Sequence, residues 1–428
     1  MRIRDPIHGT VVVSDEEAEV IDSRFYQRLR HVRQLGFGDL AFPGATHTRH
    51  AHSLGAMHVA SRLFDAVAVR APLSAEAKER FRAAVRLAVL CHDLGHMPLS
   101  HASESIAPAR AALKLPDWMG PSLGQASHED FTARLLLDSS LTPIIASAYA
   151  KQGLTPAQAA SLVTGKLAPG EAPFVDGRVD WAPLLRAIVS GELDADRMDY
   201  LLRDSFFTGV NYGRYDLEWL VQNVAAAERD GKAVLALSKA AIFAFEDFLL
   251  SRYHMFLSVY LHHTSVSFDW MLKRYYEEAP GEFQIPADPE AFLDCDDLAL
   301  HLALRRSGNP WARRIARRQG FRRVAQFTEL DEDYDLKVLS DALGQAGVEH
   351  FTVESRGVLS RYLDEGETPS LFVLDQATGK LTQVSAYTPL YQRFSRGVRL
   401  SRVYVRPDQE PAARPVVAKL TAGGRSSP

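Results

Sequence analysis

Apolar residues recur along most of this chain with a helical period. Residues 82–91 place Val85, Leu87, Ala88, Val89 and Leu90 in one helical run, and residues 241–272 carry a long apolar pattern rich in aromatics. Helices are therefore predicted to dominate the first three quarters. Short β-type segments are predicted at 9–13 and 232–237, each beside a turn-forming glycine. The stretch 153–181, rich in Pro, Gly and Ala, predicts a short helix pair and a loop. Beyond Asp331 the pattern changes to a helix at 335–346, a strand at 349–354, a hairpin at 370–387 turning at 377–380, and a last strand at 399–405. The expected architecture is mainly α: a helical core over 1–330, a small C-terminal α+β lobe over 331–406, and a polar tail over 407–428 whose composition predicts disorder.

Composition narrows the function classes. Hydrophobic residues make up 46% and charged residues 24% of the 428 positions, so a sizeable core can be buried. A formal net charge of -4 gives no global basic field for nucleic acid. The first residues lack the apolar core of a signal peptide, and no apolar run is long enough to span a membrane, so the cytoplasm is the expected compartment. Two cysteines, Cys91 and Cys295, cannot build a disulfide framework, and Cys91 reads as a small buried residue. No Gly-rich Lys loop of the P-loop kind occurs.

The candidate chemistry lies in Leu90-Cys91-His92-Asp93-Leu94-Gly95-His96-Met97-Pro98-Leu99-Ser100-His101. Imidazole and carboxylate side by side suit a catalytic divalent ion rather than a structural thiolate site. Upstream, His52 opens the apolar run Leu54, Met57, Val59 and Leu63; downstream, carboxylates from Asp194 to Asp204 sit on a predicted helix. A His, a His-Asp pair and an Asp make a four-ligand set that leaves positions for water and substrate. Taken singly, each of these residues is better read as a cap or ion-pair partner; the ordered set carries the argument. His47, His50, His58, His262 and His263 read as surface or satisfied core histidines. The arginine-rich stretch from Arg305 to Arg323 reads as a solvated helix face paired with Asp294, Asp296 and Asp297, with nucleic-acid contact the less favoured alternative.

Asp5-Pro6-Ile7-His8-Gly9, Phe25-Tyr26-Gln27-Arg28-Leu29-Arg30, Gln34-Leu35-Gly36, Phe42-Pro43-Gly44-Ala45-Thr46-His47-Thr48-Arg49, His52-Ser53-Leu54-Gly55 and the stretch 92–101 follow one another in an order that resembles the HD-domain deoxynucleoside triphosphate triphosphohydrolases. The resemblance runs from about Arg4 to about Arg406, closest to bacterial members akin to the vertebrate SAM and HD domain-containing branch, with no SAM domain in this sequence. It implies an HD-fold phosphohydrolase in which His52, His92, Asp93 and Asp196 hold a divalent metal (Mn, Fe, Ni, Zn or Mg). It further implies that His96, His101 and His128 surround the triphosphate, with His101 as general acid, His128 stabilising phosphate and Glu129 as an orienting carboxylate. Arg49, Arg197 and Arg252 would contact phosphate. Gln34 and Leu35 would lie next to deoxyribose, Asp204 would bind the 3'-hydroxyl, and Tyr200 and Tyr260 would pack against the sugar.

The implied partners are a dNTP substrate, an activating nucleotide at Asp22, Gln27 and Arg30, and further copies of the chain in a dimer or tetramer. Arg4 and Thr10 depart from the family pattern near that effector position, where an asparagine and a histidine would stand, and Arg197 replaces the more usual lysine. Alternative readings are an HD phosphohydrolase for another nucleotide and a nucleotide sensor with weak catalysis.

Overall fold

The computed structural model describes residues 1–328, 331, 334–357, 371–390 and 398–422. Its centre is a set of helices, Arg49–Arg70, Ala75–Cys91, Pro156–Thr164, Ala182–Val189 and Ala195–Thr208, packed around one apolar cluster. Helix Arg49–Arg70 is the axis: it packs on both Ala75–Cys91 and Ala195–Thr208. Leu63, Phe64, Val85 and Leu90 are fully or almost fully buried there.

An N-terminal hairpin, Arg2–Asp5 with Gly9–Val12, folds over this core. Its successor helix, Asp15–Ile21, opens with a capping box of Ser14 and Glu17. The Glu17 carboxylate also takes Arg86 Nη2 at 2.6 Å, a buried pair that fastens the segment to helix Ala75–Cys91.

The β-type segment predicted near 232 is strand Lys232–Ser238, paired with Val224–Arg229 through a tight turn in which Asp230 and Gly231 both have positive φ. The C-terminal hairpin, Phe372–Asp375 with Lys380–Gln383, extends this same sheet, because Phe372–Leu374 run parallel to Ala236–Ser238. The C-terminal sheet proper is built from Arg322–Thr328, Val398–Val405 and His350–Gly357, all antiparallel with Val398–Val405 in the middle. Its first strand thus precedes position 331, and the hairpin joins the other sheet. Ser370, the predicted start of that hairpin, lies outside the described residues.

Three expectations change. In 153–181 there is one helix, Pro156–Thr164, followed by two-residue strands at Val175–Asp176 and Val179–Asp180, since the Pro-Gly-rich stretch after Thr164 cannot continue a helix. The tail is ordered up to 422 as helix Glu410–Ala422, which buries Ala413 and Val417 against Leu339, Leu343, Val403 and Val405. Its Pro-Gly-Ser composition hides a short i, i+4 apolar stripe, and Pro415 sits inside the helix; residues 423–428 lie outside the described residues. The carboxylates expected to pair with the arginine stretch are used elsewhere. Asp296 caps helix Asp297–Arg306, Asp297 accepts the backbone N–H of Leu99 and Arg33, and Asp294 meets Arg24 at 3.8 Å. Among the described residues no helix is long and apolar enough to cross a membrane.

Candidate metal centre and phosphate site

Two close approaches of backbone assemble the site. A Cβ on Gly55 would overlap the carboxylate of Asp199 and the guanidinium of Arg203, so glycine lets helix Ala195–Thr208 lie directly against the first turns of Arg49–Arg70. A Cβ on Gly95 would overlap the carbonyl oxygen of His128 and the backbone nitrogen of Thr132. That glycine lets the loop after helix Ala75–Cys91 sit on the start of helix His128–Leu137, where Thr132 Oγ1 accepts from Gly95 N and donates to His92 O, both at 2.9 Å.

His52 is fully buried, and its two nitrogens do different work. Nδ1 lies 2.7 Å from Asp199 Oδ2, while Nε2 lies 2.9 Å from Asp196 Oδ1 and 3.7 Å from Asp93 Oδ2. His92 Nδ1 donates to Val89 O at 2.6 Å; its Nε2 stands 3.3 Å from Asp93 Oδ1 and 3.5 Å from Asp196 Oδ1. Neither Nε2 is aligned for a hydrogen bond, although both are buried. Buried ring nitrogens that face two carboxylates without an aligned hydrogen bond are what a divalent cation would satisfy, and the mixed imidazole-carboxylate donors suit Mn, Fe, Ni or Zn. His52, His92 and Asp93 each offer a ligand atom within 4.8 Å of the others.

The electrostatics agree. Burial alone would lower the His52 pKa, but the carboxylates of Asp196, Asp199 and Asp93 outweigh it and push it up to about 10. Burial would raise Asp93, yet Arg49, His92 and His96 hold its carboxyl well below the usual range. The gathered carboxylates favour positive charge at His52.

Asp199, a residue outside the expected ligand set, anchors His52. It accepts from His52, from His8 Nε2 at 2.7 Å, and from Arg203 Nε and Nη2 at 2.8 and 2.9 Å; Arg203 Nη1 in turn donates to Asp5 Oδ2 at 2.9 Å. The Asp5-Pro6-Ile7-His8-Gly9 motif therefore holds the carboxylate that orients His52. The signal was the i, i+4 pair Asp199 and Arg203 beside the proposed ligand Asp196.

The histidine side of the site is set by strained backbone. Leu99 and Ser100 both have positive φ, 56° and 57°, and are held by Leu99 N donating to Asp297 at 2.7 Å and by Ser100 Oγ, which donates to Arg33 O and accepts from Arg49 Nε. This turn presents the segment Ser100–Ile106 with His101 and Glu104. His96 stacks on His128 at 4.0 Å between ring centres, and His101 stands edge-on to both, at 5.1 and 5.4 Å. The carboxylate between them is Glu104: its Oε1 lies 3.0 Å from His101 Nδ1 and 2.8 Å from His128 Nδ1, the place sequence reasoning gave to Glu129. Burial opposes the ionisation of Glu104, and the two imidazoles overcome it and hold its carboxyl low. His128 is also the first residue of its helix, capped by Ser127 and Asp130.

A second group beside His52 is aromatic. Tyr200 stands 6.4 Å from His52 and 6.0 Å from Tyr260, ring to ring. Tyr260 donates its hydroxyl to Asp204 Oδ2, and His47 Nε2 meets Asp204 Oδ1, both at 2.8 Å. His47, read from sequence as a bland histidine, thus fixes a proposed substrate residue. Gln34 Oε1 and Arg252 Nη1 are buried without hydrogen-bond partners. Leu35, next to Gln34 in sequence, is half-buried and packs on the core. Arg252 and Arg197 both oppose the rise that burial gives the Tyr200 pKa. Arg197 is also tied to Asp194 Oδ2 at 2.6 Å, and Arg49 to Asp93 Oδ2 at 2.7 Å. The eight-residue spacing from Arg252 to Tyr260 is not one α-helix: Ile242–Met255 passes into a π-helical turn, Phe256–Tyr260, which re-aims Tyr260.

Asp22, Gln27 and Arg30 form a separate group. Gln27 donates to Ile21 O and accepts from Arg30 Nε, both at 2.7 Å, and Asp22 caps the preceding helix.

Residues 49–204 match the HD domain, and residues 215–348 match the HD associated region. The chain is an HD-domain protein. Over 329 residues it is 31% identical to an uncharacterized protein of Methanocaldococcus jannaschii, covering 77% of this chain and 60% of that one. Over 312 residues it is 32% identical to the deoxynucleoside triphosphate triphosphohydrolase SAMHD1 homolog of Dictyostelium discoideum, covering 70% and 54% of the two. The chain thus spans little more than half the length of these curated relatives. A hypothetical protein from Aquifex aeolicus has a similar structure, with a TM-score of 0.72, 27% identity, and coverage of 97% of this chain and 99% of that one. A phosphohydrolase from Bacteroides thetaiotaomicron shares the fold at a TM-score of 0.68 and 22% identity, over 95% and 99% of the two chains. The matched HD domain begins at Arg49 and ends at Asp204, so it contains the His52, His92, Asp93 and Asp196 set whole.

Proposed function

We propose that this HD-domain protein hydrolyses deoxynucleoside triphosphates to the deoxynucleoside and inorganic triphosphate. The observation that carries the proposal is what adjoins the His52, His92 and Asp93 cluster: a three-histidine wall, which it meets through His96 and Asp93 at 3.2 Å, and a second wall of Tyr200, Tyr260 and Asp204, which begins with Tyr200 beside His52. One wall suits phosphates and the other a sugar.

A divalent ion held by His52, His92, Asp93 and Asp196 would polarise a phosphoryl oxygen and lower the pKa of a water. Around it, the side chains position and transfer protons. Glu104 accepts a hydrogen bond from His101 Nδ1–H, which keeps that proton on the ring and directs Nε2 away from the carboxylate. Protonated, His101 gives its Nε2 proton to the departing 5'-oxygen as the bond from that oxygen to the α-phosphorus breaks, and Glu104 stabilises the imidazolium. The second ring on Glu104, His128, and the stacked His96 face the phosphate chain. Arg252, with a buried and unpartnered Nη1, supplies fixed positive charge to it. Asp204, its carboxylate held between His47 and Tyr260, accepts from the sugar 3'-hydroxyl, and the Tyr260 ring closes the face where a 2'-hydroxyl would project. Asp22, Gln27 and Arg30 would receive an effector nucleotide.

Incubating the protein with each dNTP and Mn2+ or Mg2+, then separating products by ion exchange, tests the reaction. Triphosphate with the free deoxynucleoside is the expected pair; pyrophosphate or orthophosphate alone overturns it.

A further inference from the structure

We propose that His96, His101, Glu104 and His128 form a second divalent-metal site, of lower affinity than the first, whose occupation blocks turnover. The four residues each offer one ligand atom, and these atoms all lie within 4.8 Å of one another. His96 is 2% exposed, and its Nδ1 is buried with no hydrogen-bond partner. Three imidazoles and one carboxylate are a donor set for Zn, Co or Ni, whereas Mg prefers oxygen.

The spacing of Glu104 from His101 and from His128 fits coordination as well as hydrogen bonding. With metal–nitrogen bonds of about 2.1 Å, ligand atoms at right angles about one ion lie about 3 Å apart. Glu104 Oε1 lies 3.0 Å from His101 Nδ1 and 2.8 Å from His128 Nδ1. A small change of ring tilt would exchange two shared protons for one ion.

The cluster is graded in exposure, from His96 at 2% through His128 at 19% and Glu104 at 34% to His101 at 65% of the side chain. An ion can therefore enter and leave from the His101 side, which is the reason for the lower affinity. The consequence for turnover rests on the dNTP hydrolase reading: an ion on His101 removes the proton donor, and an ion on His96 and His128 occupies the phosphate wall.

The test uses untagged protein carrying Zn2+ in its first site, equilibrated against increasing Zn2+, with bound zinc counted by mass spectrometry after dialysis. Two equivalents per chain are expected, the second dissociating at higher free Zn2+. Glu104→Gln and, independently, His101→Ala should weaken the second equivalent at least tenfold and leave the first; His101 is exposed enough that its removal does not threaten the fold. A single equivalent at all concentrations overturns the proposal, and so does a second equivalent that survives both substitutions. Zinc counting does not depend on the substrate, so failure of the dNTP reading would be seen separately. With dNTP hydrolysis in hand, the inhibition constant for Zn2+ should equal the second dissociation constant, and inequality would overturn the blocking role.

Discussion

Asp199→Asn should cripple the metal site without touching a proposed ligand. In the native protein Asp199 Oδ2 lies 2.7 Å from His52 Nδ1, which fixes the ring proton there and leaves the Nε2 lone pair for a cation. An asparagine that turns its NH2 toward His52 requires Nδ1 to accept, driving the proton onto Nε2. If it turns its oxygen toward His52, the NH2 group faces the donors of Arg203 and His8, which lie 2.9 and 2.7 Å from Oδ1. Either orientation sets donor against donor. Loss of such an outer partner typically weakens a metal about 10- to 100-fold, or about 1.4 to 2.8 kcal/mol. A separate cost of about 3 kcal/mol falls on stability, because a buried guanidinium loses one carboxylate; Arg203 keeps Asp5 at 2.9 Å, which should hold the fold. Chelator competition with Mn2+ or Zn2+ on protein shown to be folded by circular dichroism reads the affinity apart from stability. His8→Ala, which removes a partner of the other oxygen, should weaken binding less than Asp199→Asn. Metal affinity within about twofold of the parent in Asp199→Asn would refute the argument.

Other substitutions probe the assembly of the site and of the fold. Gly95→Ala must displace the start of helix His128–Leu137, because its Cβ would meet backbone atoms of His128 and Thr132; a lower melting temperature and loss of turnover are expected, and parental values for both would contradict the packing argument. Asp297 is buried, and burial pushes its carboxyl up to about 6 against the pull of the Leu99 and Arg33 N–H groups, from an ordinary value of 3.8. The native state therefore holds this proton more tightly than the unfolded chain: the carboxyl favours folding below about pH 4 and loses that contribution as pH rises through 6. Asp297→Asn should gain on the parent by up to about 3 kcal/mol between pH 3.5 and pH 7 in denaturant unfolding; a constant gap would contradict this. Ala413→Asp, at a fully buried position of the last helix, should cost about 3 kcal/mol or more, visible as a fall in melting temperature, and no fall would show that the helix does not dock.

Much of the site was legible because its chemistry is written in short strings: His92-Asp93, His52 and Asp196, distant in sequence, lie within a few ångströms of one another. What stayed hidden was set by three-dimensional contact. Glu104 reaches His128 across 24 positions and Asp199 reaches His8 across 191, distances at which no local pattern signals a pair. The fold shows the same division. Helices with a clear period, such as Ala75–Cys91, were evident, whereas the final helix was masked by its prolines. The hairpin Phe372–Gln383 was recognisable as a hairpin, but its pairing partner, Ala236–Ser238, lies over 130 residues away and nothing in its own pattern names it. The aspartates near the arginine stretch looked like ion-pair partners because they are close in sequence; caps and backbone N–H groups claimed Asp296 and Asp297 instead.

The central claim is hydrolysis at the α-phosphorus, and the fate of the water oxygen tests it most directly. In H2(18)O with a dNTP and Mn2+, the account predicts one 18O atom in inorganic triphosphate and none in the released deoxynucleoside, read by mass spectrometry. Label in the deoxynucleoside, or its appearance in pyrophosphate beside a nucleoside monophosphate, would contradict it.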